Sequence, residues 1–219
     1  MQLSKQKGFT LVEIAIVLVI VGLLIGGVLK GQEMITNAKL KRVESDNAGI
    51  AAAMFSYQDR YLQLPGDDSG ADGRFTIYAP PVVAANVIGD GSGTIDGGWA
   101  DATSGDITAA NTDPETNLFF AHLRAAGLIP GGGVDDTKPT NAYGGQIGIQ
   151  DGALNMSGHV TIFGAIEGPI AKIIEARLDD GAGDTGRLQS GISGADMTLP
   201  ASAIAVYLDS DRYDMAFRL

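Results

Sequence analysis

Cysteine is missing from this chain of 219 residues. Disulfides, thiolate metal sites and a cysteine nucleophile are thereby excluded. Histidine is nearly missing too: the chain has 2, His122 and His159, with no motif spacing between them. There is no G-x-S-x-G elbow and no Walker loop. No catalytic constellation is legible, so the chain reads as a non-enzyme. Basic residues are sparse, with 15 lysines and arginines against 26 acidic residues and a formal net charge of −11. Duplex nucleic acid is densely anionic, so no nucleic-acid partner is expected.

What the chain does have is one long apolar run near its start. Ile14 to Leu29 is uncharged throughout, and from Phe9 to Leu29 the only charge is Glu13. As a helix, Phe9 to Leu29 covers about 31 Å, roughly one hydrocarbon core. Lys5 and Lys7 precede it. That positive end stays in the cytoplasm, which sends the rest of the chain outward. A cleaved secretory signal needs a small-x-small site after its core. The core here runs into LIGGVLKGQ, which lacks one. A plain signal anchor explains length and orientation but not Glu13. A charge at the centre of a spanning helix costs ~2.5–3.5 kcal/mol, though less near its end.

A third reading rests on the stretch Lys7-Gly8-Phe9-Thr10-Leu11-Val12-Glu13. It resembles the processing site of type IV prepilins and type II secretion pseudopilins. The resemblance covers the first 30 or so residues. It implies cleavage between Gly8 and Phe9 by a prepilin peptidase and N-methylation of Phe9. It also implies an assembly role for Phe9 and Glu13. Members commonly carry a proline near the end of the apolar half. Lys30 stands there in this chain, and Gly22, Gly26 and Gly27 supply local flexibility instead. This departure weakens the case for a major repeating subunit.

The helical pattern continues past the apolar run. No proline occurs from Lys30 to Leu64, and charges alternate in sign. Leu40, Val43, Ile50, Met54, Tyr57, Tyr61 and Leu64 recur at helical spacing, with Asn47 filling one gap. Pro65-Gly66 breaks the pattern. One helix is therefore predicted from Phe9 to about Leu62, apolar in its first half and amphipathic in its second. Residues 65–112, rich in Gly and Asp, read as a loop with short strands around Phe75–Tyr78, ordered by Trp99 or by ions. Asp113 as N-cap and Pro114 at the first helical position open a second helix, which stops at Gly127. Its predicted apolar face is Leu118, Phe119, His122, Leu123 and Ala126, with His122 a surface or satisfied histidine rather than a ligand. A further helix is predicted over Pro169–Leu178. Strands are predicted at Gln146–Gln150, His159–Ile166, Ala203–Leu208 and Tyr213–Leu219. The fold class is α+β: a long N-terminal helix packed on a small antiparallel sheet, pilin-like. The division is 1–8 leader, 9–29 membrane and assembly half, 30–64 amphipathic half and 65–219 ectodomain. Three ectodomain stretches resemble a subset of prepilin-type proteins: Leu64-Pro65-Gly66-Asp67, Phe120 to Ile129, and Leu178-Asp179-Asp180-Gly181 with Thr185-Gly186.

Four acidic loops stand out. They contain Asp67, Asp68 and Asp72; Asp90, Ser92, Thr94 and Asp96; Asp179, Asp180 and Asp184; and Asp209, Asp211 and Asp214. Calcium takes six to eight oxygens, which such loops supply, and Asp179, Asp180 and Asp184 are the candidate ligands. The competing reading is turn chemistry, in which Asp and Gly simply stabilise bends. Gly181 to Gly186 satisfies G-x-G-x-x-G. It follows a helix rather than a strand and is flanked by acids that repel phosphate, so dinucleotide binding is rejected.

The expected function is that of a pilus or pseudopilus subunit. It is stored in the bacterial inner membrane as a single-pass precursor, trimmed, and polymerised through its N-terminal helix into a periplasmic or extracellular filament. Expected partners are other pilin or pseudopilin subunits, the prepilin peptidase and an inner-membrane assembly platform driven by a separate ATPase. The alternative is a monomeric cell-surface binding module on a membrane anchor.

Overall fold

The computed structural model describes residues 9–78, 87–103, 105, 107, 114–198 and 200–219. Lys5, Lys7, Gly8 and Asp113 lie outside them. Internal contacts divide the chain into two units, with the boundary between Lys41 and Arg42.

The first unit is helix. α1 spans Leu11–Tyr61, close to the predicted limits. Its large apolar residues from Leu11 to Leu29 are all at least two-fifths exposed, from Val21 at 43% to Leu11 at 90%. The helix is long and apolar enough to cross a membrane.

The second unit begins inside α1. Here Val43, Ile50, Met54 and Tyr57 are buried, as their spacing predicts. Asn47, the polar gap in that stripe, accepts a hydrogen bond from Thr161. α1 ends where Leu62 takes the left-handed conformation, φ 57, and Pro65 follows. Phe75–Tyr78 forms no strand. The segment folds as a short helix α2, Ala71–Arg74, followed by a 3₁₀ turn, Thr76–Tyr78. Local bonds from Phe75 N–H to Ala71 O (3.0 Å) and Tyr78 N–H to Phe75 O (2.9 Å) turn these amides inward to the segment itself rather than to a sheet. The rings of Phe75 and Tyr78 pack edge to face.

Of the two expected means of ordering the glycine-rich loop, Trp99 or ions, the first is visible: Trp99 is buried. It joins the core cluster with Leu154, Met156, Val160, Ile162 and Met197. Gly148 and Gly164 make room for it. A Cβ at Gly148 would lie 2.5 Å from Trp99 O, and one at Gly164 would lie 2.9 Å from the indole Cη2.

α3 covers Glu115–Ala125. Pro114 is the N-cap, with extended backbone (φ −65, ψ 154), so the helix starts one position later than predicted. Gly127 (φ 69) does end the helix, with Leu128 N–H reaching back to Leu123 O at 2.9 Å. Every residue from Glu115 to Leu123 is buried, so the helix has no solvent face there and His122 is a core residue.

Four antiparallel strands form one sheet in the order β1-β2-β4-β3: β1 Ile147–Ala153, β2 Met156–Glu167, β3 Leu188–Ile192 and β4 Arg212–Arg218. α4, Gly168–Leu178, follows β2 directly. Three predicted strands form. Ala203–Leu208 does not; it contributes only a single bridge, Ala203 to Gly191. The Leu208 amide donates to the Tyr213 hydroxyl (2.7 Å) instead of a strand. The fourth strand is Leu188–Ile192, whose Ser190 and Gly191 are poor strand formers. Its state comes from pairing with β4, Leu188 with Phe217 through Ile192 with Tyr213.

Candidate functional site

The head of α1 answers why a carboxylate stands in an apolar segment. Thr10 precedes the first helical residue. Glu13 Oε2 accepts both the Thr10 N–H and the Thr10 hydroxyl, each at 2.8 Å, and Glu13 N–H donates to Thr10 Oγ1 at 3.3 Å. This is a reciprocal capping box, T-x-x-E, satisfying amides that have no intrahelical partner. The signal was present in the sequence as Thr10-Leu11-Val12-Glu13 ahead of an apolar run, and the reading of Glu13 as an assembly residue passed over it. Phe9 is 83% exposed beside this cap. Glu13 Oε1 takes no hydrogen bond among the described residues.

In the ectodomain, the Leu64-Pro65-Gly66-Asp67 stretch and α3 come together. His122 Nδ1 accepts the Gly66 N–H (2.9 Å), and Nε2 lies 2.8 Å from Val87 O. Nδ1 must therefore be bare and Nε2 must carry the proton. Burial lowers the imidazole pKa to about 4. His122 is a neutral, fully satisfied packing residue.

Three of the four acidic loops also resolve into packing. Asp67 Oδ1 accepts Ser92 N–H (2.9 Å) and its Oδ2 accepts Gly93 N–H (2.7 Å). Glu115 accepts the amides of Asp90 and Asp96, each at 2.9 Å. Burial raises the carboxyl pKa of both Asp67 and Glu115. Asp68 holds Arg74 and the Tyr57 hydroxyl (2.6 Å). Asp214 accepts Ala165 N–H, the Ser193 hydroxyl and Gly194 N–H, all at 2.8 Å, while Asp209 pairs with Lys172 at 2.6 Å. These are turn and bulge anchors.

The Asp179 loop is built similarly but incompletely. Asp179 Oδ2 takes the amides of Arg187 and Leu188. Asp180 takes Ala182 N–H (2.9 Å) and the Thr185 hydroxyl (2.7 Å). The loop's amides are thus turned to its own carboxylates rather than to an outside phosphate. Asp179 and Asp180 gather with Glu175 of α4, and Asp184 lies outside this trio. Glu175, which the sequence reading did not single out, is fully buried. Burial pushes its carboxyl up to about 7; the Tyr207 hydroxyl opposes that, and Asp179 and Asp180 add to it.

An apolar helix able to span a membrane, capped by Thr10 and Glu13 and continuing into an α+β ectodomain, defines a pilin-like anchored protein. The comparison with protein families agrees. Residues 3–29 match the prokaryotic N-terminal methylation motif, which supports a protein of the type IV pilin and pseudopilin family, processed by prepilin peptidase. No curated protein matches the chain, and no solved structure matches it.

Proposed function

We propose that this chain is a structural subunit of a type IV pilus or type II secretion pseudopilus. It is cut between Gly8 and Phe9 and polymerises through α1. The observation that carries this reading is the exposed apolar surface of α1, Leu11 to Leu29, headed by a carboxylate with one oxygen unused. Such a surface must be covered. Lipid covers it in the single-pass precursor, and neighbouring α1 helices cover it in a filament. The partners are then other pilin or pseudopilin subunits, handled by an inner-membrane assembly platform, and the filament is periplasmic or extracellular.

Because the chain has no cysteine, introduced thiols report without background. Cysteines at exposed Ile16 and Leu24 should give a ladder of adducts in envelope fractions treated with a bifunctional maleimide. Repeated head-to-tail contacts extend beyond a dimer. Monomer alone, with both thiols labelled, would favour the anchored binding module and overturn polymerisation.

A further inference from the structure

Two groups of carboxylates among the described residues come close enough to hold a cation: Asp67, Asp90 and Glu115, and Glu175, Asp179 and Asp180. They differ in one decisive respect. In the first, the buried oxygens of Asp67 and Glu115 are each answered by a backbone amide. In the second, Glu175 is 0% exposed and its Oε1 has no hydrogen-bond partner among the described residues. Its other oxygen, Oε2, takes the Tyr207 hydroxyl at 2.9 Å. One oxygen from each member of the trio lies within 4.8 Å of the others. The basic residues of α4 are turned elsewhere: Lys172 to Asp209 and Arg177 to Glu44. The trio also lies at the C-terminal end of α4, where the last carbonyls add negative potential.

Ionised, Glu175 buries an oxygen with no donor beside two further carboxylates. Neutral, it buries an O–H with no acceptor on that oxygen. Either state leaves a buried polar atom unanswered, which is destabilising. A cation answers all three groups together.

We propose that Glu175, Asp179 and Asp180 bind a hard divalent cation, calcium in preference to magnesium, tying the end of α4 to the loop that leads into β3. The donors are all oxygen, which selects hard ions. Asp180 is exposed, so water completes an irregular shell that calcium tolerates and octahedral magnesium does not. Three carboxylates and water correspond to a dissociation constant on the order of 10⁻⁴–10⁻³ M. Asp179 and Asp180 belong to the ligand set expected from sequence; Glu175 takes the place of Asp184.

Tyr207 stands beside this site as a natural sensitiser for terbium. The full-length chain in detergent is titrated with terbium while tyrosine is excited. Green emission should rise and be removed by millimolar calcium. Glu175→Gln and Asp180→Asn should each weaken the terbium response by roughly tenfold or more. Asp90→Asn, in the amide-saturated group, should leave it unchanged. Should Glu175→Gln not fold, Asp180→Asn decides, because Asp180 is exposed. Absence of emission, emission that calcium does not displace, or emission unchanged in Asp180→Asn overturns the site.

Discussion

Thr10 and Glu13 hold one another at the start of α1, with the Glu13 carboxylate receiving both the amide and the hydroxyl of Thr10 at 2.8 Å. One oxygen carries the cap, and the other is available for a cation. The proposed cleavage before Phe9 would create one, because N-methylation would leave the new amine basic. A pair between that amine, on the same or a neighbouring subunit, and Glu13 would neutralise two charges that are each costly in a water-excluding core.

That division of labour separates two substitutions. Glu13→Gln keeps an acceptor for the cap, since glutamine also serves in capping boxes, but loses the charge. Glu13→Ala loses both. We expect both variants to be inserted and cleaved, and both to be excluded from fibres when competing with wild type. Fibre composition measured by mass spectrometry decides. Glutamine incorporating as well as wild type would assign Glu13 to the cap alone, and alanine doing so would remove any assembly role.

Processing has its own test. Gly8 precedes the proposed cut, and a residue without a side chain suits an extended segment entering a protease cleft. Gly8→Val should leave residues 1–8 attached. Intact mass of the membrane-extracted protein reads this directly. A wild-type chain from assembled fibres that still begins at Met1 would refute the cleavage.

His122 should make the ectodomain acid-sensitive. Its folded pKa is lowered from 6.5 to about 4, so between those values the unfolded chain holds a proton that the native one does not. Stability contributed by the neutral ring is full above pH 6.5 and is lost as pH falls towards 4, by about 3 kcal/mol. Denaturant midpoints at several pH values should show the loss. Asp67, Glu115 and Glu175 have raised pKa values and act in the opposite sense, so the comparison is with His122→Gln, in which the slope between pH 6.5 and 4 should shrink. An unchanged slope would exclude His122 as the cause.

Gly66 should tolerate no side chain. Its φ is +94, and a Cβ would lie 2.5 Å from the Glu115 carbonyl oxygen. The backbone conformation alone costs an alanine of order 1–3 kcal/mol, and the clash adds to it. Gly66→Ala should therefore lower the unfolding temperature clearly, whereas Gly93→Ala meets no neighbouring atom and carries only the conformational part. Equal losses in the two would show that the approach of Gly66 to α3 is not tight.

The sequence by itself determined the first third of this protein. Helix length, apolar periodicity and the stop at Pro65 are local properties. Each depends on residues a few positions apart, and α1 follows from them almost to the residue. The strands with strong β-formers, such as His159–Ile166, were legible for the same reason. Tertiary structure decided the rest. Leu188–Ile192 is a strand because β4 offers it an edge, and Ala203–Leu208 is not, because Tyr207 and Leu208 bond elsewhere. The acidic loops looked alike in sequence because Asp serves turns and cations with the same oxygens. Only folding shows which oxygens meet amides. Asp67 meets Ser92 and Gly93 across 25 residues or more, whereas Glu175 reaches Tyr207 with one oxygen and, among the described residues, nothing with the other.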